Sequence, residues 1–335
     1  MIFAEFIRRA IMQGIPLLFG STGEILTEKS GHLNLGIPGI MYVGGISGVI
    51  GSFLYENSLP APEALNPALA VLIPLGCSLL GSLVMGLIYC FLTVTLRANQ
   101  NVTGLALTTF GVGVGNFFGG SLAKLTGSGA SSISLTATSN CFRTELPFAD
   151  KLGWFGTVFL SHSFLAYVAV IIALVAAYVL RRTRTGLHLR AVGENPATAD
   201  AAGINVTLYK YLATCIGAGI CGIGGLYYVL DYNQGIWATT GQIEALGWLA
   251  VALVIFTTWK PLNAIWGAYL FGMLYWLYQF LPTLLGITMA SHITDLVQML
   301  PYVVTIVVLI VVSMRKKKEN QPPAHLGLAY FREER

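Results

Sequence analysis

From Phe6 to Met314 the chain is a succession of apolar stretches parted by short polar joints. Each stretch is close to the roughly 20 residues that a helix needs to cross a hydrocarbon layer. Backbone groups can all be satisfied in lipid only by helices or closed barrels, and runs this long without alternation are helical. The pattern predicts an all-α polytopic membrane protein with about nine spans: 6–24, 36–55, 68–96, 102–123, 163–180, 208–230, 243–258, 262–281 and 296–314. Charged residues make up 10% of the 335, against about 25% in soluble domains, and the mean hydropathy is +0.70. An ordinary soluble fold is excluded.

Residues 1–314 read as one membrane domain, with 124–161 as an external loop, 181–210 as a cytoplasmic loop and 315–335 as a cytoplasmic basic tail. With that orientation fourteen of the nineteen Lys and Arg lie inside and five outside, in keeping with the positive-inside bias. The net charge of +4 therefore reports topology rather than nucleic-acid binding. Arg8 and Arg9 fall at an external N-terminus, against the bias. Either they snorkel to the interface, or an uncounted re-entrant segment brings the N-terminus inside. No cleavable leader is apparent, so the first span is expected to stay in the product. The five cysteines have no metal-binding spacing and read as small hydrophobes.

The segment 24–38, EILTEKSGHLNLGIP, is too polar for lipid. Gly31, Gly36 and Pro38 break a helix there, and irregular backbone at membrane depth requires surrounding protein or a water-filled cavity. One reading puts the Asn34 amide on a pore; the other is a charged turn between spans. Glu24 and Glu28 share a helix face at i, i+4 beside Lys29. At the start of the fourth span, Gln100, Thr103 and Thr108 can share one face, as can, roughly, Asn101, Thr108 and Thr109. Such a face either forms interhelical hydrogen bonds or lines a path. On the outer side Asp231 and Glu244 bracket a turn and Asp295 opens the last span, as solvated helix ends or a docking surface. Four spans before the fifth and four after the cytoplasmic loop run in opposite senses, the arrangement of an inverted repeat.

Enzyme signatures are missing from the sequence: it has no GxxxxGK[ST], HExxH or GxSxG. Within 181–210, Asn195 reads as an N-cap, Pro196 as the first helical residue and Gly203 as a left-handed terminator. The helix between them, about two turns, is too short to persist alone and must be ordered by docking. Positive-inside bias explains the arginines of this loop but not a capped helix.

The stretch 183–205, TRTGLHLRAVGENPATADAAGIN, resembles the cytoplasmic loop of permeases in the branched-chain amino acid, ribose and nucleoside group of ABC importers. EKSGHLNLGIPGIMYVGG (28–45) is similar to the break after the first span in the nucleoside permeases of that group. ANQNVTGLALT (98–108) and the end PPAHLGLAYFREER also resemble them, so the likeness covers nearly the whole chain. It implies a type II-like importer fold, of ten spans in the relatives, with the first missing here. Implied too are a cytoplasmic ABC ATPase that binds the ATP, a second, non-identical permease, and an extracytoplasmic substrate-binding lipoprotein or periplasmic protein, in a bacterial inner membrane. No cofactor is expected on this chain itself. Carried onto this sequence, ATPase coupling falls to Arg190, Glu194, Asn195, Pro196, Ala197, Asp200, Ala201 and Gly203. Asn34, Gln100, Asn101, Thr103 and Thr108 are the candidates for lining the path of a small neutral polar solute, a nucleoside or related purine compound. Pro38 stands where the group often has Glu and Trp248 where Phe is frequent, which leaves the substrate open. Alternatives are a sugar or branched-chain amino acid permease of the same fold, a stand-alone secondary transporter, and a membrane enzyme.

Overall fold

The computed structural model of the chain describes residues 2–59, 65–125, 132–144, 153–237, 241–285, 296–297, 299–315 and 321–331. Helix α1 (Ile2–Lys29) is 28 residues long, roughly 42 Å at 1.5 Å per residue. It continues through Glu24, Glu28 and Lys29, so the irregular segment begins only at Ser30, later than its polarity implies. Then come α2 (Ile37–Ser58), α3 (Pro67–Cys90, prolonged by a wider π turn to Thr95) and α4 (Gln100–Leu125). Two short helices, α5 (Thr136–Phe142) and α6 (Gly153–Phe159), precede α7 (Phe164–Arg182). The polar island holds α8 (Arg184–Glu194) and α9 (Pro196–Ala201). Last are α10 (Val206–Tyr227, prolonged by a π turn to Tyr232), α11 (Gln242–Phe256), α12 (Pro261–Leu285) and α13 (Leu300–Arg315).

Among the described residues, α2, α3, α4, α7 and α10 are each long and apolar enough to cross a membrane. Helices α1, α2 and α10 are packed together at the centre. Small residues permit it: a Cβ on Gly44 of α2 would overlap Gly222 of α10, and one on Gly23 of α1 would overlap Gly217. By contrast α3 turns Leu72, Leu80 and Val84 outward, as a lipid-facing side should.

The end of the bundle away from the polar island is tied down more firmly than a Ser- and Gly-rich loop implies. Strand β1 (Ile133–Ser134) pairs antiparallel with β2 (Ile236–Trp237). Thr138 donates from both its backbone N and its hydroxyl to Glu56 Oε1, at 2.8 and 2.6 Å. Asp231 is buried rather than a solvated helix end, and Glu244 is half-buried. Asp295 lies outside the described residues. Arg9 pairs with Glu5 at 2.8 Å and lies over Trp276, while Arg8 donates to Ser161 O at 3.2 Å, so both cations at this end have partners.

Candidate functional site

Between α1 and α2 the backbone leaves helical geometry for residues 30–36, and buried polar backbone must find partners somewhere. They come from three helices, and a fourth holds a side chain. Asn34 N donates to Glu24 Oε1 of α1 at 3.0 Å, and Leu33 O accepts from the Tyr89 hydroxyl of α3 at 2.6 Å. Leu33 N donates to Gln100 Oε1 of α4 at 2.8 Å, and Leu35 O accepts from the Thr108 hydroxyl of α4, also at 2.8 Å. From α10 the Thr214 hydroxyl meets His32 Nδ1 at 3.3 Å. Gly31, at φ +84°, supplies the left-handed turn after α1, and Pro38 starts α2 against Gly247 of α11. A Cβ on Gly104 would come within 2.8 Å of Leu35 N, so α4 reaches the break only because that position is bare.

The five path candidates thus separate. Asn34, Gln100, Thr103 and Thr108 gather at the break and are buried, whereas Asn101 is exposed on the far side of α4. Gln100 and Thr108 are engaged in holding backbone. The Asn34 carboxamide accepts from Gly36 N at 2.9 Å, and its Nδ2 has no partner among the described residues. Trp248, the other departure from the group's pattern, is half-buried on α11.

Glu28, one turn below Glu24, accepts from the Trp259 indole. Thr258 and Trp259 are both left-handed, φ +53° and +55°, a conformation that costs about 1–2 kcal/mol per non-glycine residue. Sequence reasoning missed Tyr89, because an aromatic residue in an apolar run reads as core, and Trp259, because it stands in a short joint between two runs. A polar tip on a ring is the one signal that could have marked them.

The polar island folds by local rules at its caps. Asn195 Oδ1 accepts from Thr198 N at 3.0 Å, Pro196 is the first helical residue, and Gly203 at φ +81° ends α9 with Ile204 N bonded back to Ala199 O. Helix α8, not read from the sequence, is held at both ends. Thr183 caps it through Gly186 N at 3.1 Å, and a Cβ on Gly193 would overlap the Lys29 carbonyl of α1. Pro196 and Ala199 face inward against Val192 and Val206, while Ala197 and Asp200 are half-buried. Arg190, Glu194, Asn195, Ala201 and Gly203 stay exposed. That leaves a face of the α8–α9 corner open to a partner.

The tail completes the arrangement. The Tyr330 hydroxyl donates to Asp200 Oδ2 at 2.9 Å, His325 N to Gly193 O at 3.0 Å, and Gly327 N to Gly31 O at 3.2 Å. Gln100 Nε2 donates to Leu328 O at 3.2 Å, and Arg97 lies over the Phe331 ring. One strap of eleven described residues, 321–331, therefore touches α9, α8, the break and the α3–α4 corner. Burial, with the Lys210 ammonium, holds His325 below the ordinary histidine range, so it sits neutral among these contacts at physiological pH. The sequence marked the tail as basic and as resembling that of the nucleoside permeases, but not as a strap.

A model of the family described as branched-chain amino acid transport system / permease component matches residues 6–311. The chain belongs to that family. The permease is 31% identical to a putative glucose ABC transporter permease protein, TsgC13, of Haloferax volcanii, over 82% of its own length and 77% of the relative's. It is 30% identical to the nucleoside ABC transporter permease protein NupC of Lactococcus lactis, over 89% of each chain. With the guanosine ABC transporter permease protein NupQ of Bacillus subtilis it shares 27% over 81% of each. It is accordingly a multi-pass membrane permease subunit of an ABC transport system. As a transport component it works alongside other subunits.

Proposed function

We propose that this permease admits nucleosides by alternating access through nine spans arranged as an inverted repeat. A cytoplasmic ATPase subunit binds the ATP and docks on the α8–α9 corner. A second, non-identical permease completes the membrane part, and an extracytoplasmic binding lipoprotein delivers solute to the opposite end. The observation that carries the reading is a continuous linkage from the exposed corner to the helix break. It runs from Asp200 to Tyr330, along the tail to Leu328, and through the two ends of the Gln100 amide to Leu33. Motion imposed on α9 is thereby passed to backbone at membrane depth. Gln100 and Thr108 hold the backbone of the break, and Asn34 and Thr103 beside them offer uncharged hydrogen-bonding groups, which suits a neutral polar solute.

The cargo is drawn from the relatives named for nucleosides and guanosine. The relative named for glucose favours one other reading, a simple sugar. Uptake of labelled guanosine and labelled glucose by the reconstituted complex separates the two. Guanosine is expected to accumulate with ATP and to resist competition by excess glucose; the reverse result refutes the nucleoside assignment. For coupling, Arg190→Glu or Ala201→Trp is expected to leave the complex assembled while solute moved per ATP falls several-fold. An unchanged ratio in both variants removes α9 from the mechanism. Asn34→Leu is expected to slow uptake in a complex that still assembles.

A further inference from the structure

Beside the coupling corner, between α9, the start of α10 and the α3–α4 joint, lies a cavity of about 390 Å³. Its wall includes Thr93, Arg97, Asp200, Thr207, Lys210 and Tyr330. Nothing in the linkage above uses Lys210 or Arg97 toward this space, and the cavity's chemistry is specific.

Lys210 is 3% exposed, and among the described residues its ammonium has neither an ion-pair nor a hydrogen-bond partner. The side chain is packed in while its ammonium opens on the cavity without an ion-pair partner among the described residues, so an anion entering that space meets a fixed positive charge. The first turn of α10 opens onto the same space. Asn205 caps only Leu208 N, at 3.0 Å, which leaves the amides of Val206 and Thr207, both on the cavity wall, for a ligand. A 22-residue helix presents positive potential at that end. Arg97 adds a second cation, at a left-handed φ of +56° where glycine is the easy choice, with its guanidinium carbon 4.8 Å from the Phe331 ring centroid.

Other walls suit the rest of a nucleotide. Asp200, which accepts from Tyr330 and has a further partner, is a carboxylate with about four acceptor sites, the group that receives the vicinal hydroxyls of a ribose. The half-buried Tyr330 ring offers a face on which a base can stack. The volume lies within the range of small-ligand sites.

We propose that this cavity binds a nucleoside monophosphate, its phosphate on Lys210, Arg97 and the α10 N-terminus, its ribose on Asp200 and its base on Tyr330. The inference rests on the nucleoside reading above. Such a ligand is what a phosphoryl-transfer enzyme makes from an imported nucleoside, so the site gives the cell a way to slow uptake once the product accumulates. By bridging α9 to α10 and the α3–α4 joint it holds the coupling helix against the membrane helices.

The test uses the full-length permease in lipid nanodiscs, titrated by calorimetry with guanosine monophosphate, guanosine and inorganic phosphate. Guanosine monophosphate is expected to bind at least about tenfold more tightly than either other probe, and Lys210→Gln to lose about tenfold, the worth of one charge-assisted bond. Lys210→Arg should restore most of the affinity. Thr207→Asp places a carboxylate where a helix N-terminus tolerates it, and is expected to abolish binding in a folded protein. Equal affinity for all three probes, or unchanged binding in both Lys210→Gln and Thr207→Asp, overturns the inference. In the complete complex, guanosine monophosphate on the ATPase side is expected to slow guanosine uptake in the parent and not in Lys210→Gln; no slowing, as when the ATPase occupies the cavity, overturns it as well. Guanosine uptake without monophosphate binding defeats this inference alone. Monophosphate binding without guanosine uptake defeats the nucleoside reading.

Discussion

The break after α1 and the capped helix α9 both leave helical backbone groups to be satisfied outside a helix, and they do it by opposite means. At α9 the partners are neighbours in sequence: Asn195 caps Thr198 N, and Gly203 allows Ile204 N to reach back to Ala199 O. At the break they are remote, since Leu33 alone is held by Tyr89, 56 residues on, and by Gln100, 67 residues on. A locally capped helix can move as a unit without losing its own bonds. A backbone held by α1, α3, α4 and the tail moves only when they do. The first is thus suited to receive motion and the second to change with the whole bundle.

The largest effect that would sharpen this contrast is expected from Gly104→Leu. Its side chain has to displace Leu35 backbone, and overpacking costs about 1–3 kcal/mol or more. Loss of monodisperse protein in detergent is the expected result, and normal yield with normal uptake would show that α4 does not fix the break. Next is Tyr89→Phe, which leaves the part-buried Leu33 O without its donor, at about 1–3 kcal/mol, read as a lowered thermal midpoint. Asn195→Ala is expected to cost about 1 kcal/mol, confined to α9, so hydrogen exchange should quicken there and not at the break. If it destabilises the whole protein more than Tyr89→Phe does, the contrast between local and remote support fails. Smallest in stability is Tyr330→Phe, about 0.5–1.5 kcal/mol. Its signature is functional: ATP turnover is expected to persist while solute moved per ATP drops, and an unchanged ratio would take the tail out of the linkage.

What could be read in the chain follows the same division. The apolar runs located the membrane helices α2, α3, α4, α7 and α10 to within a few residues at most ends, because length and hydropathy act one segment at a time. The caps at Asn195 and Gly203 were legible for the same reason. Helix α8 was not: Arg184, His188 and Arg190 gave it a polar appearance, and only docking of Gly186 on α7 and Gly193 on α1 makes its position definite. Nor could the burial of Asp231 be foreseen, since nothing near it in sequence announces that the π turn of α10 will carry it inward. The polar face of α4 was visible as a face, but which of its residues meet Leu33 and Leu35 depended on where the break would lie.

By itself the sequence determined that the chain is a helical membrane protein, where its main apolar helices run, and that a short capped helix stands in its polar island. These follow from transfer to lipid and from hydrogen bonds spanning a few residues. Tertiary structure decided that the tail is a strap, that one glutamine amide serves both strap and break, and that Lys210 and Arg97 face one cavity beside Asp200. Those depend on groups tens to hundreds of residues apart, and no local preference of the chain encodes their meeting.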